Sequence, residues 1–368
     1  MMVMRIAQVA PLFESVPPKL YGGTERVVSW LTEELVRLEH DVTLFASGDS
    51  MTTATLVPAC PESLRLAGGS VDHVPHHLLL LEEVLRRKNE FDVIHFHIDY
   101  LHYPFSKRER YTHVTTLHGR LDLPELVPLY EVYRDMPVVS ISDSQREPLP
   151  NLNWLGTVHH GLPENNYTFH RKPGKYLAFL GRTSPEKGLD RAIEIAKSAG
   201  MPLKVAAKID KVDQEYFETC IQPLLKESDI EFVGEVGYPG KGEFLGNAAA
   251  ILFPVSWPEP FGLVMIEAMA CGTPVIAYPF GSVPEVMKDG VSGYIVADLE
   301  GAIAAVRNIG DIDRKQVRKY FEQHFTAARM AQDYLKIYER LVGRKKAPLT
   351  ASSGVLNWTQ ITSPSNTT

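Results

Sequence analysis

Two glutamates stand in an otherwise apolar stretch, residues 258–277, which reads PEPFGLVMIEAMACGTPVIA. Glu259 lies between two prolines, and Glu267 lies inside a predicted helix over residues 261–270 that ends at Gly272. Burying a carboxylate is costly unless the group is paired or hydrogen-bonded. The two carboxylates are therefore candidates for binding the polar groups of a ligand.

The start of this predicted helix offers further chemistry between the two carboxylates. Its first free N–H groups belong to Phe261, Gly262 and Leu263, and a helix N-terminus that contains a glycine is a favourable phosphate site. At ~1.5 Å of rise per residue, Glu259 and Glu267 are separated by roughly 10–12 Å. A sugar–diphosphate–ribose unit has this reach, with sugar hydroxyls at Glu259, the diphosphate at the helix end and the ribose at Glu267.

A second segment supplies positive charge. The stretch LGRTSPEKGLDRAIEIA places Arg182 and Lys187 in a loop between a predicted strand over 175–180 and the helix that follows. Two cations at the carboxyl end of a strand can hold one diphosphate from two sides. The alternative is that Glu186 and Asp190 neutralise these cations on an ordinary surface.

Short apolar strands alternate with amphipathic helices, which predicts an α/β protein with parallel sheets covered on both faces. The pattern restarts after a polar passage over 162–174, so we expect this passage to link two doubly wound domains, 1–161 and 175–320. A cleft between them should receive the carboxyl ends of the strands. A helical segment over 315–342 and a polar tail over 344–368 follow.

The predicted strands are 5–9, 42–46, 93–97, 114–117, 138–141, 175–180, 203–207, 230–233, 250–254 and 274–277, and the predicted helices of the first half are 25–38, 77–88 and 126–133.

Composition excludes several classes of protein. The 368-residue chain has a formal net charge of −7, which argues against a nucleic-acid partner. Its three cysteines, Cys60, Cys220 and Cys271, form no CxxC pair, so neither a zinc ribbon nor a disulfide framework is predicted. The N-terminal residues resemble a first strand more than a signal peptide, and no run approaches the ~18–20 apolar residues of a membrane helix. We therefore expect a cytoplasmic protein.

Several motifs together resemble those of a known family. WPEPFG followed by AMACGTPVIA resembles the two-glutamate motif of the retaining glycosyltransferases of family 4, and GRTSPEKG resembles their phosphate loop. LYGGTERVV resembles their glycine loop, TTLHG their active-site histidine segment, and GSVPEVMKDGVSGYIV the segment that follows the glutamates. The motifs span residues 1–340 in the family's order, which is more specific than any one of them.

The resemblance implies a fold. It is the GT-B architecture of the glycogen-synthase and phosphatidylinositol-mannosyltransferase-like superfamily, with two Rossmann-like domains facing across a cleft. In this architecture a C-terminal helix commonly crosses back to the first domain, and residues 321–343 are the candidate for that role.

The resemblance also implies roles for the site residues. Glu259 would hold hydroxyls of the donor sugar and Glu267 the ribose, while Arg182 and Lys187 would stabilise the leaving diphosphate with the N–H groups near Gly262 and Leu263. From the first domain, Gly22 and Gly23 would let the backbone approach the donor, and His118 would face the sugar. The nucleobase would pack near Val236 and Gly237. The leaving phosphate would take the acceptor's proton, so neither a protein nucleophile, a metal nor a cofactor is expected.

The implied reaction is transfer of a hexose from a nucleotide-diphosphate sugar, with UDP-glucose or UDP-glucuronate as the best candidates, to a saccharide or lipid-linked glycan in polysaccharide biosynthesis. Gly281-Ser282 stands where the family often has two glycines, so the loop beside the sugar is expected to differ. The oligomeric state is left open.

Two further clusters allow other interpretations. His95, His97, Asp99 and His102 could bind zinc, but strand-end packing is the favoured interpretation. Asp311 and Asp313 mimic a metal-binding acidic pair, and we interpret them as a helix cap. The basic end of the stretch 76–88, with Lys107 and Arg108, offers a peripheral contact with an anionic membrane at its inner face, although a buried helix with a charged end explains it as well.

Three other functions compete with glycosyl transfer. A glycoside hydrolase could use Glu259 and Glu267 as acid and base, but this would leave Arg182 and Lys187 without a role. A nucleotide-sugar epimerase shares the two-domain architecture, yet no acid/base pair for it is identifiable. A two-domain sugar-binding protein would usually be exported.

Overall fold

The computed structural model describes residues 3–19, 21–65, 72–226, 229–238 and 240–345, and its two sheets are both parallel. The first has seven strands in the order β3-β2-β1-β4-β5-β6-β7, and the second has six in the order β10-β9-β8-β11-β12-β13. The predicted α/β fold with two doubly wound domains is confirmed.

The first sheet contains β1 Arg5–Val9, β2 Asp41–Ser47, β3 Thr55–Cys60, β4 Val93–Phe96, β5 His113–Thr116, β6 Val138–Ser140 and β7 Trp154–Thr157. The second contains β8 Leu177–Arg182, β9 Leu203–Lys208, β10 Ile230–Gly234, β11 Ala250–Phe253, β12 Val275–Ala277 and β13 Gly293–Ile295. The α-helices are α1 Gly23–Arg37, α2 His73–Arg86, α3 Tyr103–Ser106, α4 Leu126–Val132, α5 Leu189–Ala199, α6 Gln214–Tyr216, α7 Gln222–Leu224, α8 Gly240–Gly246, α9 Leu263–Ala270, α10 Val283–Val286, α11 Leu299–Arg307, α12 Arg314–His324 and α13 Ala327–Lys345.

Each sheet changes direction of winding at one position, between β1 and β4 in the first sheet and between β8 and β11 in the second. Crevices outside the carboxyl ends of strands at such points are the usual ligand sites of open α/β sheets. Arg182 ends β8, and His118 lies two residues after β5. The predicted site residues are therefore carried to the cleft by strand ends.

Three strands were missing from the sequence prediction, β3, β7 and β13. All three are edge strands, where one side is unpaired and the pattern is less apolar. Pro58 lies within β3, and Gly156 lies within β7. Gly293 in β13 has φ +144°, and a Cβ there would lie 1.8 Å from the carbonyl oxygen of Val275.

The chain passes between the domains twice, at adjacent positions. The N–H of Leu162 donates to the carbonyl of Phe325 at 3.0 Å, and the N–H of Ala327 donates to the carbonyl of Leu162 at 2.9 Å. Gly161 packs so closely that a Cβ there would lie 2.2 Å from the carbonyl oxygen of Thr326. The outgoing and returning segments thus form one paired connection.

The helical segment predicted over 315–342 is two helices, which break at Phe325 and Thr326 where the chain crosses. Helix α12 belongs to the second domain: the Arg314 guanidinium donates to the carbonyls of Gly246 and Ala248 at 2.8 and 2.9 Å. Helix α13 packs on α1 and β4 of the first domain, which confirms the predicted crossing. The predicted tail lies outside the described residues from position 346 onward.

The basic stretch after α2 is charge-paired. Arg86 contacts Glu83 at 2.6 Å, Arg87 contacts Glu90 at 2.7 Å, and Lys88 contacts Glu109 at 2.9 Å. Helix α2 buries one face in the first domain through His77, Leu80, Leu81 and Val84. Within the described ranges, no helix has the length and apolar character needed to span a bilayer.

Candidate active site

One cavity of about 640 Å³ lies between the domains. Both domains contribute walls, and the cavity contains eleven of the twelve predicted site residues, which come from five separate parts of the chain. They are Gly22, Gly23, His118, Arg182, Lys187, Val236, Glu259, Phe261, Gly262, Leu263 and Glu267.

Glu259 is 8% exposed and has two polar partners. The Lys187 ammonium pairs with its carboxylate, and the indole N–H of Trp257 donates to it at 3.1 Å. The same ammonium lies 4.8 Å from the centroid of the Trp257 ring. Charged and aromatic partners thus hold the carboxylate in place and offset its desolvation.

Glu267 is 2% exposed and also has a lysine partner. The Lys241 ammonium donates to its two carboxylate oxygens at 2.9 and 3.1 Å, and the Tyr167 hydroxyl donates to it at 2.9 Å. Neither partner was identified from the sequence, because Lys241 belongs to α8 and Tyr167 to the connection between domains. The sequence signal for Lys241 was its position as a basic residue in the glycine-rich stretch YPGKGEF.

The cations of the phosphate loop have different surroundings. Arg182 contacts Glu186 at 3.1 Å, Asp210 at 3.7 Å and Asp213 at 3.9 Å, while Lys187 contacts Glu259. The contact between Arg182 and Glu186 fits the alternative interpretation, in which Glu186 neutralises a cation on an ordinary surface. Both cations nevertheless line the cavity, so pairing with carboxylates does not remove them from it.

Two helix N-termini meet in the cleft. Helix α1 begins at Gly23 and α9 at Leu263, and a Cβ on Gly23 would lie 3.5 Å from Cδ1 of Leu263. Gly22 has φ +155°, and a Cβ there would lie 2.7 Å from Cβ of Pro18. Neither helix has a side-chain N-cap, and both N-termini line the same cavity, where an anion would be favoured.

Helix α9 starts two residues later than predicted. Gly262 precedes the helix, and its φ of +75° is left-handed. A Cβ on Gly262 would lie 2.8 Å from Cε of Met265 and 2.9 Å from Cζ of Phe253, so a side chain there would require these side chains to move as well as a strained backbone. Phe261 is 2% exposed and packs edge-on against His160 of the first domain, with ring centroids 4.8 Å apart.

The predicted nucleobase segment only partly lines the cavity. Glu235 and Val236 form the wall, whereas Gly237 is not among the lining residues. The carbonyl of Gly237 accepts a hydrogen bond from the N–H of Lys241 at 3.1 Å, which directs this residue toward α8.

His118 is held against other histidines. Its Nε2 lies 2.9 Å from Nδ1 of His97, and its ring stacks on that of His160 with centroids 5.3 Å apart. Burial lowers the pKa of His118 to about 3, so the imidazole is neutral near pH 7. Neutral imidazole can exchange a hydrogen bond with a sugar hydroxyl but does not supply positive charge.

Glu25 is a cavity residue that the sequence analysis missed. It is 5% exposed in the first turn of α1, and burial raises the pKa of its carboxyl to about 7. Its position two residues after the glycine pair, in GGTE, was the available signal.

Side chains also connect the two domains around the cavity. The carboxylate of Glu285, in the second domain, accepts hydrogen bonds at 2.7 Å from the N–H groups of Asp143 and Ser144 in the first. On another side, the Arg120 guanidinium lies 5.3 Å from the ring centroid of Trp257. These contacts fix the width of the cleft.

The loop at Gly281-Ser282 is hydrogen-bonded to the backbone of the turn that carries Glu259. The N–H of Ser282 donates to the carbonyl of Glu259 at 2.9 Å, and its hydroxyl donates to the carbonyl of Phe261 at 2.9 Å. A Cβ on Gly281, where φ is +58°, would lie 2.3 Å from the backbone nitrogen of Glu259. The serine is therefore used to brace the turn that carries Glu259.

The alternative metal clusters have structural roles in the part of the chain that the structure describes. His95 and His97 are buried and hydrogen-bonded to protein groups. Asp313 is the N-cap of α12 and accepts a hydrogen bond from the N–H of Lys315 at 2.9 Å. Among the described residues, no three His, Cys, Asp or Glu side chains converge as a metal site.

Two family models match the chain in succession. Residues 21–155 match "Glycosyltransferase Family 4", and residues 165–322 match "Glycosyl transferases group 1". A relative that is similar over most of its length is the N-acetyl-alpha-D-glucosaminyl L-malate synthase of Bacillus anthracis. It is 28% identical over 86% of this chain and 93% of the relative.

Solved structures confirm the GT-B fold. AviGT4, a glycosyltransferase involved in avilamycin A biosynthesis, aligns with a TM-score of 0.74 and 23% identity over 92% of this chain and 98% of AviGT4. HepE from Anabaena, solved in complex with UDP-glucose, aligns with a TM-score of 0.69 and 18% identity over 92% of this chain and all of HepE, 100%.

Proposed function

We propose that this chain, which belongs to the glycosyltransferases built from a family 4 domain and a group 1 domain, transfers a hexose from a nucleotide-diphosphate sugar with retention of anomeric configuration. The observation that carries the proposal is the single cavity in which Glu259, Glu267 and two helix N-termini converge with Arg182 and Lys187.

The donor would lie along α9. Its sugar hydroxyls would bind Glu259 and its diphosphate would meet Lys187, Arg182 and the N–H groups at the start of the helix. Its ribose hydroxyls would bind Glu267 beside Lys241. UDP-glucose and UDP-glucuronate are the proposed donors, and the binding of UDP-glucose by HepE supports the first.

The chemistry follows from charge. Breaking the bond between the sugar and the diphosphate creates negative charge on the leaving group, and fixed cations and N–H groups stabilise that charge as it develops. Lys187, Arg182 and the N-termini of α1 and α9 all line the cavity, which supports this role. The leaving phosphate would accept the acceptor's proton on the same face, without a protein nucleophile or a required metal.

The acceptor is proposed to be a saccharide or a lipid-linked glycan, which would enter along the first domain. A glycoside hydrolase is not favoured, because it would leave the cations and helix ends that line the cavity without a role. A nucleotide-sugar epimerase is not favoured, because both matching family models are those of glycosyltransferases.

The proposal is tested by calorimetric titration with UDP, GDP and ADP, with and without EDTA. We expect UDP to bind most tightly and its affinity to survive chelation. Transfer from UDP-glucose and UDP-glucuronate is then measured, with the anomeric configuration of the first product read by NMR. Failure of all three nucleotides to bind would overturn the proposal, and an inverted product would overturn the retaining mechanism.

A further inference from the structure

A buried line of hydrogen bonds connects helix α13 with the cleft. Starting at the cavity, Nε2 of His118 lies 2.9 Å from Nδ1 of His97. Nε2 of His97 lies 2.8 Å from Oε1 of Gln8 on β1, and Nε2 of Gln8 lies 3.2 Å from the Tyr338 hydroxyl on α13. Gln8 and Tyr338 are fully buried, and His97 is 2% exposed.

The line continues beyond α13 into the sheet. The Tyr338 hydroxyl lies 2.7 Å from Nδ1 of His95, and Nε2 of His95 lies 2.7 Å from Oγ1 of Thr116. Oγ1 of Thr116 lies 2.9 Å from the Tyr334 hydroxyl, one turn before Tyr338 on the same helix. Each member between the two ends therefore has two partners, and can donate to one and accept from the other.

Because the histidines in this line are neutral, only a few placements of their hydrogens are possible. Burial lowers the pKa values of His95 and His97 well below 6.5 and that of His118 to about 3. A neutral imidazole has one N–H donor and one acceptor nitrogen. The tautomer of each ring is then set by what its neighbour can donate or accept.

Gln8 gives the line its direction. With the amide oxygen toward His97 and the amide nitrogen toward Tyr338, the oxygen can only accept, so the hydrogen of His97 is on Nε2 and Nδ1 of His97 accepts. His118 must then donate from its own Nε2, which leaves a lone pair on its Nδ1. Toward α13, the amide nitrogen donates to Tyr338, and the hydroxyl hydrogen of Tyr338 is directed to Nδ1 of His95. In this arrangement all six links have the same direction, from His118 to Tyr334.

We propose that Gln8 and Tyr338 are positioning residues that hold His118 as the Nε2–H tautomer, so that its Nδ1 accepts a hydrogen bond from a hydroxyl of the sugar in the cavity. Nδ1 of His118 is buried and has no hydrogen-bond partner among the described residues. An unpaired buried acceptor is costly, and a ligand hydroxyl would satisfy it. The C-terminal helix thereby contributes to the active site without lining it.

Loss of the Tyr338 hydroxyl should allow His118 to take either tautomer. Without its hydroxyl, nothing on the α13 side distinguishes the nitrogen from the oxygen of the Gln8 amide. The amide can then turn over, His97 can donate from either nitrogen, and His118 can take either tautomer. The Tyr334 hydroxyl contacts Thr116 and not Gln8, so its loss should not change the orientation of the Gln8 amide.

The experiment is 15N NMR of the full chain with labelled histidine, with the His118 resonances assigned by comparison with His118→Gln. Protonated and unprotonated imidazole nitrogens give well-separated resonances. In the wild type we expect Nε2 of His118 to be protonated and Nδ1 not. In Tyr338→Phe the two resonances should move toward each other as the tautomers mix. In the matched control Tyr334→Phe, which loses the same group one turn away, they should not move.

Gln8→Met is the second variant, and it should also mix the tautomers of His118 even if Tyr338→Phe folds poorly. A wild-type His118 protonated on Nδ1 would overturn the inference. So would unchanged His118 resonances in a folded Gln8→Met or Tyr338→Phe protein.

The consequence for catalysis rests on the proposed function. If a sugar hydroxyl donates to His118, Tyr338→Phe should lower kcat/KM in proportion to the fraction of His118 left in the accepting tautomer, about twofold for an equal mixture. Tyr334→Phe should not, and nucleotide affinity should stay unchanged in both. The NMR measurement requires no sugar, so failure of the inference is distinguishable from failure of the proposed transferase activity.

Discussion

The ammonium of Lys187 pairs with the carboxylate of Glu259, a residue 72 positions further along the chain. The cation assigned to the leaving diphosphate therefore contacts the carboxylate assigned to the sugar. The bond between sugar and phosphate would lie where these two groups meet. The pair is formed by two loops that follow different strands, β8 and β11, which are neighbours in the second sheet.

Replacing Lys187 should chiefly affect turnover. Lys187→Met removes a positive charge from the site where the leaving group develops negative charge, and we expect kcat to fall by roughly 10²–10³-fold. Steady-state kinetics with the best donor provide the measurement. Lys204→Met is the control, because Lys204 pairs with Glu231 at 2.8 Å outside the cavity. Turnover within twofold of the wild type would contradict the role of Lys187.

Replacing Glu259 should separate nucleotide binding from catalysis. Glu259→Ala removes the proposed sugar contact and leaves the diphosphate and ribose contacts, so UDP affinity should change by less than about threefold while transfer is lost. Calorimetry and a transfer assay on the same preparation give the two numbers. A large loss of UDP affinity would instead indicate that Glu259 acts on the nucleotide.

Replacing Glu267 should weaken nucleotide binding, unlike replacing Glu259. Hydrogen bonds to a charged group contribute about 1.5–3 kcal/mol, so Glu267→Ala should weaken UDP binding by roughly 10–100-fold. The variant also leaves the ammonium of Lys241 without this partner, and some loss of stability is expected. Glu267→Gln, which keeps the size and the contact with Tyr167, is the matched variant. Unchanged UDP affinity in folded protein would rule out the ribose contact.

Stability should fall as the pH falls below about 6.5. Burial lowers the pKa values of His95, His97, His102, His113, His118 and His160. Above their unfolded pKa these residues are neutral in both states and contribute no pH dependence. Below it the unfolded chain binds protons that the native chain does not, until the native pKa is reached, which is about 4 for His113 and about 3 for His118.

Each of these histidines removes up to ~1.4 kcal/mol of unfolding free energy per pH unit in this window. Burial raises the carboxyl pKa values of Glu25 to about 7 and Asp99 to about 6, and also those of Glu14 and Asp213, which gives the opposite slope, but four groups are outnumbered by six. Urea unfolding between pH 7.5 and 4.5 measures the sum. His102→Gln should reduce the slope, because it removes one of these buried histidines. A flat profile would show that the histidines are not buried as described.

Removing the Glu285 carboxylate should loosen the contact between the domains. Although burial opposes it, hydrogen bonds from His159 and from the N–H groups of Asp143 and Ser144 lower the pKa of Glu285. Glu285→Ala leaves those N–H groups without this acceptor, so we expect a larger radius of gyration in X-ray scattering and a higher KM for the donor. Glu300→Ala, at an exposed position, is the control. An unchanged scattering profile and KM would contradict this role.

Most of the residues that line the cavity from the predicted set were predictable, because each lies in a short motif whose chemistry is local. The spacing of Glu259 and Glu267 and the cations Arg182 and Lys187 identified the cavity residues in advance. Edge strands such as β13 were missed because a half-paired strand lacks a continuous apolar run. The start of α9 was misplaced because the left-handed conformation of Gly262 depends on its packing against Phe253 and Met265.

The sequence by itself determined the alternation of strands and helices, the two-domain division and the identity of the groups at the strand ends, because these follow from local periodicity and residue chemistry. Only the tertiary structure decided which groups pair. Lys241 joins Glu267, Glu285 joins the backbone at Asp143, and Tyr338 joins Gln8 across 330 positions of sequence. Such partners are brought together by sheet order and domain contact, and no local pattern in the chain records them.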